Sequence, residues 1–146
     1  MRIIVIGGAG LPEQVAVALH KAGDEVTVID TDPGREAALV KAGLRSVRGQ
    51  AAVPSTLEAA GALRADVLVA CTRSDEDNLV VSYLAKRRFD VPRVIARVND
   101  VANEMLFDGS WGVDAVVSPS TLLVSVIKQT RNADSDSAGA VAQPPA

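Results

Sequence analysis

Cys71 is the only cysteine and His20 the only histidine among the 146 residues. No intrachain disulfide can form, which fits a reducing, cytoplasmic setting, and no His/Cys cluster is available to hold zinc. Aromatic residues make up only 3% of the chain, against a hydrophobic content of 48%. That length and composition suit one globular domain with a real core and leave no room for a second, catalytic one. The net charge of −3 and pI near 5.1 lack the clustered basic excess that neutralises phosphates, so no nucleic-acid partner is expected. The one basic cluster, Lys86-Arg87-Arg88, is short and helix-terminal. No apolar run approaches the roughly 20 residues that cross a bilayer. The start "MRIIVIGGAG" has the basic residue and apolar stretch of a signal peptide, but its period and glycine turn fit a buried strand better.

What is present is a regular alternation. Short apolar runs at 3–6, 25–29, 45–48, 66–70, 93–98 and 114–117 read as six strands. Residues 11–22, 33–42, 54–61, 75–89, 100–108 and 119–131 read as helices between and after them. Strands alternating with helices predict an α/β, Rossmann-type, doubly wound six-stranded parallel sheet. Asp32-Pro33 and Ser118-Pro119 each place a capping side chain before a proline, whose missing N–H costs nothing in the first helical turn. Ser74 with Asp77 has the spacing of a capping box. Gly23 and Gly43 fall where helices should end in a left-handed residue. Residues 1–131 are expected to form the domain, and 132–146, without apolar period and ending in Pro-Pro-Ala, a disordered tail.

The loop after the first strand, "GGAGLPE", raises the functional question. A strand, a glycine turn, a helix and an acid ending the next strand form the dinucleotide-binding fingerprint, and Asp30 lies 20 residues after Gly10. Neither register completes G-x-G-x-x-G. From Gly7 the motif positions hold Gly7, Ala9 and Pro12, and from Gly8 they hold Gly8, Gly10 and Glu13. A pyrophosphate binds a helix N-terminus through free N–H groups and the helix dipole. Pro12 removes one donor and Glu13 adds a negative charge, so diphosphate affinity should fall below that of the intact motif. Two readings stand: a site for an adenosine-containing ligand, or a tight turn beneath a helix stabilised by Glu13.

Taken in order, "MRIIVIGGAG", "GDEVTVIDTDP", "GLRSVRGQA", "ADVLVACTRSDEDNLVVSYLAKR", "VPRVIARVND" and "WGVDAVVSPSTLL" resemble the N-terminal nucleotide-binding lobe of the Trk/Ktr potassium-uptake regulators, the RCK N-lobe. The resemblance covers about residues 1 to 130 and implies a Rossmann fold binding NAD or NADH, or ATP/ADP. It further implies dimer-based homo-oligomers at the cytoplasmic face of the membrane and control of a membrane potassium translocator subunit. By position it assigns Gly7, Gly8, Ala9, Gly10 and Leu11 to the phosphate loop and Asp30 to the adenosine ribose. Gln50 stands where the family usually has an acid. Thr72 and Arg73 follow strand four at the ligand edge of the sheet, and Arg97 follows strand five as a cation for a phosphate. The glycine loop departs from the family pattern, and the chain stops where the family usually continues into a C-terminal lobe.

Three functions follow: a non-enzymatic regulatory module, an NAD-dependent oxidoreductase, or an assembly subunit that no longer binds nucleotide. Hydride transfer needs a substrate pocket and a positioned acid or base, for which the single domain offers no room. Bland readings accompany each residue. Asp30 also reads as a turn cap and Arg97 as the partner of Asp100. Cys71, ending an apolar strand, reads as a small buried hydrophobe, and His20 as a surface side chain. Asp75, Glu76 and Asp77 fit dipole complementarity in a first helical turn, against a weaker cation-site reading. Leu122, Leu123, Val126 and Ile127 form helical i, i+4 pairs that, if exposed, make a partner surface.

Overall fold

A computed structural model describes residues 1–142, with side chains described through residue 137. Strand β1 (Arg2–Ile6) is rich in β-branched residues that suit a pleated backbone. Alternation sends Ile3 and Val5 to one face and Ile4 and Ile6 to the other, and all four are buried. The first pair packs with Val26, Val28, Ala16, Leu39 and Leu44. The second joins Ile29, Leu57, Leu68, Val81 and Val94. A sheet buried on both faces is what parallel strands with crossover helices require.

The remaining strands are β2 (Glu25–Asp30), β3 (Arg45–Arg48), β4 (Val67–Ala70), β5 (Arg93–Arg97) and β6 (Ala115–Val117). All pairings are parallel, in the order β3-β2-β1-β4-β5-β6. Helices α1 (Leu11–Lys21) and α2 (Glu36–Lys41) supply Ala16 and Leu39 to one face. On the other, α3 (Pro54–Ala59) and α4 (Asp75–Arg87) supply Leu57, Leu79, Val81 and Ala85. The doubly wound Rossmann-type sheet expected from the sequence is present. Strand order reverses between β1 and β4, which opens a crevice at the carboxyl ends of the strands.

Local signals behave as their chemistry dictates. Asp32 accepts from Gly34 N at 2.8 Å, and Ser74 accepts from Asp77 N at 3.2 Å. Gly23 and Gly43 take φ values of 99° and 85°. Three helical expectations change. Residues 33–42 divide into a 3-10 turn, Pro33–Arg35, and α2. The helix expected over 100–108 is a 3-10 segment, Val101–Leu106, followed by a second, Gly109–Trp111. There Asp100 and Asp108 bind the backbone two residues ahead, at 3.0 and 2.9 Å, drawing the chain into tight turns.

The third change is at the C-terminal end. Helix α5 (Pro119–Ala142) replaces both the shorter helix and most of the expected tail; residues 143–146 lie outside the described residues. No proline interrupts the span from Arg131 to Ala142, and its alanines favour helix. Thr121 Oγ1 donates to Glu104 at 2.8 Å and anchors the start of α5. Beyond that anchor, Leu122, Leu123 and Ile127 are each more than half exposed. No helix among the described residues is long and apolar enough to cross a membrane.

Candidate functional site

The crevice at the β1/β4 reversal is a cavity of about 830 Å³. Of the residues expected at the ligand site, Gly7, Gly8, Ala9, Leu11, Asp30, Gln50, Thr72, Arg73 and Arg97 all line it, and Gly10 does not. Gly10 instead caps α1 with φ 89°, a conformation that favours glycine, and no side chain caps that helix. Gly7 is required by contact. At φ 142°, a β-carbon there would lie 2.6 Å from Pro12 Cγ and 2.8 Å from the Cys71 carbonyl. Gly8 has ordinary room, and its added β-carbon would sit 3.4 Å from Asp30 Oδ2. The acid at the end of β2 therefore faces the glycine loop across the crevice.

The Asp30 side chain is only 9% exposed. Its Oδ1 accepts from Asp32 N at 3.1 Å, the turn-capping role. Its Oδ2 is buried without a hydrogen bond, although Arg35 Nε lies 3.4 Å away. The turn-capping reading of this residue is met on Oδ1, and Oδ2 is turned to Arg35. Arg35 also makes an ion pair with Glu13 in the first turn of α1. Arg97 makes no ion pair with Asp100 among the described residues, and its Nε is buried without a partner. Buried polar atoms without partners are costly. Here Asp30 Oδ2 and Arg35 Nε face one another as an ion pair, while Asp30 and Arg97, on β2 and β5, both line the one cavity.

The opposite wall is held by Asn78, which is fully buried. Its Oδ1 accepts from Thr72 N at 2.9 Å, and its Nδ2 donates to the carbonyls of Thr72 at 3.0 Å and Arg97 at 2.9 Å. One amide therefore brackets the ends of β4 and β5. Asp75 completes the bracket by accepting from Asn99 N at 2.7 Å, Asp100 N at 2.9 Å, and the side chains of Asn99 and Asn103 at 3.0 and 2.9 Å. Burial works to raise the Asp75 carboxyl, but the hydrogen bonds from Asn103, Asn99 and Asp100 together outweigh it and hold the group below its ordinary value. This carboxylate is engaged by donors, and no cluster of three metal-ligating side chains occurs among the described residues.

Cys71 is buried, and burial pushes its thiol up, with Arg97 offsetting the effect in part. It behaves as a small hydrophobe, not an activated nucleophile. His20 is exposed, and Trp111 packs edge-on against Tyr83 at 5.9 Å. Sequence reasoning misses Arg35, Asn78 and Asn99. The only signal for Asn78 is its place in "SDEDN", and nothing local marks Arg35 as the partner of a residue 22 positions earlier.

Comparisons with known proteins identify the family and the fold. The model of the TrkA-N domain matches residues 3–119. The Trk system potassium uptake protein TrkA of Mycobacterium tuberculosis is 40% identical over 131 residues, which cover 88% of this chain and 59% of the relative. The chain thus spans about three fifths of that relative's length. Among solved structures, the Shewanella denitrificans Kef C-terminal domain in its AMP-bound form aligns with a TM-score of 0.72 at 22% identity, covering 97% of this chain and 95% of that one. The GsuK channel bound to NAD aligns with a TM-score of 0.67 at 20% identity, covering 80% of this chain and 21% of that one. At these identities the two structures establish a shared fold. With the matched sequence extending from β1 to the start of α5, the chain belongs to the TrkA-N domain family.

Proposed function

We propose that this domain binds NAD(H) or an adenine nucleotide in the crevice and acts as a regulatory module of a potassium uptake system. In this reading it is not an enzyme. Occupancy of the crevice alters how the module engages a membrane potassium translocator, at the cytoplasmic face, through that partner. The observation that carries the reading is that Asp30, at the end of β2, and Gly8 line the same crevice, with the Asp30 carboxylate 3.4 Å from where a β-carbon on Gly8 would lie. A ribose hydroxyl would donate to this carboxylate. Arg97 lies three strands away from Asp30 in the sheet order, about 14 Å at ordinary strand spacing. A ligand serving both ends must be extended, as a dinucleotide or nucleoside polyphosphate is. The name of the M. tuberculosis relative supports the potassium system, and the AMP and NAD of the two structures support the ligand class.

Calorimetric titration with NAD, NADH, ATP, ADP and AMP tests the ligand assignment. Micromolar binding of at least one is expected, and no binding of any would leave the assembly-subunit reading in its place. Regulation needs different affinities for two conformations, not tight binding alone. The translocator assignment is tested by co-purification with a Trk- or Ktr-type membrane subunit, with and without nucleotide. The exposed apolar residues of α5 support self-association, and a dimer-based oligomer is the expected state in solution.

A further inference from the structure

In the register that begins at Gly8, Glu13 occupies the position of the third motif glycine. A carboxylate there opposes any anion placed at the start of α1. The structure supplies a cation to it. Arg35, from the turn after β2, pairs with Glu13 and also approaches Asp30 Oδ2 at 3.4 Å. The Arg35 side chain is 22% exposed and that of Glu13 33%, so water screens the pair only in part. Arg35 Nε is itself buried without a hydrogen-bond partner.

We infer that Arg35 is a specificity-determining counter-ion: by neutralising Glu13 beside the glycine loop, it permits phosphate-bearing nucleotides to bind a crevice whose glycine motif is incomplete. The inference rests on the proposed nucleotide site. Glu13, Arg35 and Asp30 together carry one net negative charge, and without Arg35 they carry two. The added charge faces the phosphates of a ligand and leaves its uncharged nucleoside part largely unaffected. Arg35 therefore sets how strongly the site distinguishes a nucleotide from a nucleoside.

The test compares adenosine, AMP and ADP by calorimetry on the full chain and on the variants Arg35→Gln, Arg35→Lys, Glu13→Gln and Glu13→Gln/Arg35→Gln. Arg35→Gln is expected to weaken ADP about tenfold, AMP by less, and adenosine by under about twofold. Arg35→Lys should retain most of the ADP affinity, because the charge survives. Glu13→Gln should strengthen ADP, and the double variant should return it close to wild type. Equal losses for adenosine and ADP in Arg35→Gln would overturn the counter-ion role and make Arg35 a support for Asp30 alone. An ADP affinity unchanged in Arg35→Gln would overturn it as well. If the wild-type chain binds none of the three probes, this inference falls, and the nucleotide site itself fails with it only if NAD, NADH and ATP are not bound either. Far-ultraviolet circular dichroism and thermal melts of each variant separate these outcomes from unfolding.

Discussion

Replacing Asp75 with alanine should cost stability in a pH-dependent way. The residue is 9% exposed and accepts four hydrogen bonds between 2.7 and 3.0 Å. Two of the donors are backbone N–H groups in the turn after β5, left without that acceptor if the carboxylate is removed. A hydrogen bond to a charged group contributes about 1.5–3 kcal/mol, and shared networks are not additive, so the loss should be about 3 kcal/mol. The sign with pH follows from the depressed folded value. An unfolded aspartate titrates near about 3.9. Above that value the stabilisation is fully present, and it is lost as pH falls through the lower value of the folded state. Urea melts of wild type and Asp75→Ala at pH 7 and in steps below about pH 4 measure both effects. The difference between the proteins should be largest at neutral pH and shrink on acidification. A loss below about 0.5 kcal/mol at pH 7, the range of ordinary surface substitutions, would refute the bracket as a stabilising element.

Asp30→Ala should weaken whichever adenosine ligand binds by about 1–3 kcal/mol, measured by titration, since a charged acceptor is removed. An unchanged dissociation constant would reject the ribose assignment. Gly7→Ala and Gly8→Ala should separate folding from binding. The first forces contacts below 3 Å at positive φ and should lower the melting temperature, whereas the second meets only ordinary contacts and should leave it nearly unchanged while weakening nucleotide. Leu123→Asp with Ile127→Asp, at exposed positions of α5, should reduce self-association in sedimentation analysis without loss of helical signal.

The parts of the fold that are legible in the sequence are those set by neighbouring residues. Ile3 to Ile6 alternate between faces, Gly23 and Gly43 end helices, and Asp32 and Ser74 cap them, all through contacts within a few positions. Residues 100–108 are less legible because their apolar spacing fits helix, while Asp100 and Asp108 draw the backbone into 3-10 turns by competing for its N–H groups. The later part of α5 escapes sequence reasoning because a weak apolar period says little about a helix whose side chains, as far as residue 137, stay in solvent.

The candidate site divides in the same way. Asp30 and the glycine loop lie on one strand-turn-helix-strand unit, so their spacing alone predicts that they meet. Asn78 and Arg97 are 19 positions apart, Asp75 and Asn103 are 28 apart, and Glu13 and Arg35 are 22 apart. Their meeting depends on strand order and on the path of each turn, which no local pattern encodes. Taken in isolation, Glu13 counts against a phosphate ligand, because its charge stands at the helix start. Once the turn after β2 brings Arg35 to it, the same carboxylate is half of a neutral pair. An incomplete motif is therefore weak evidence for a lost site until the residues facing it across the fold are known.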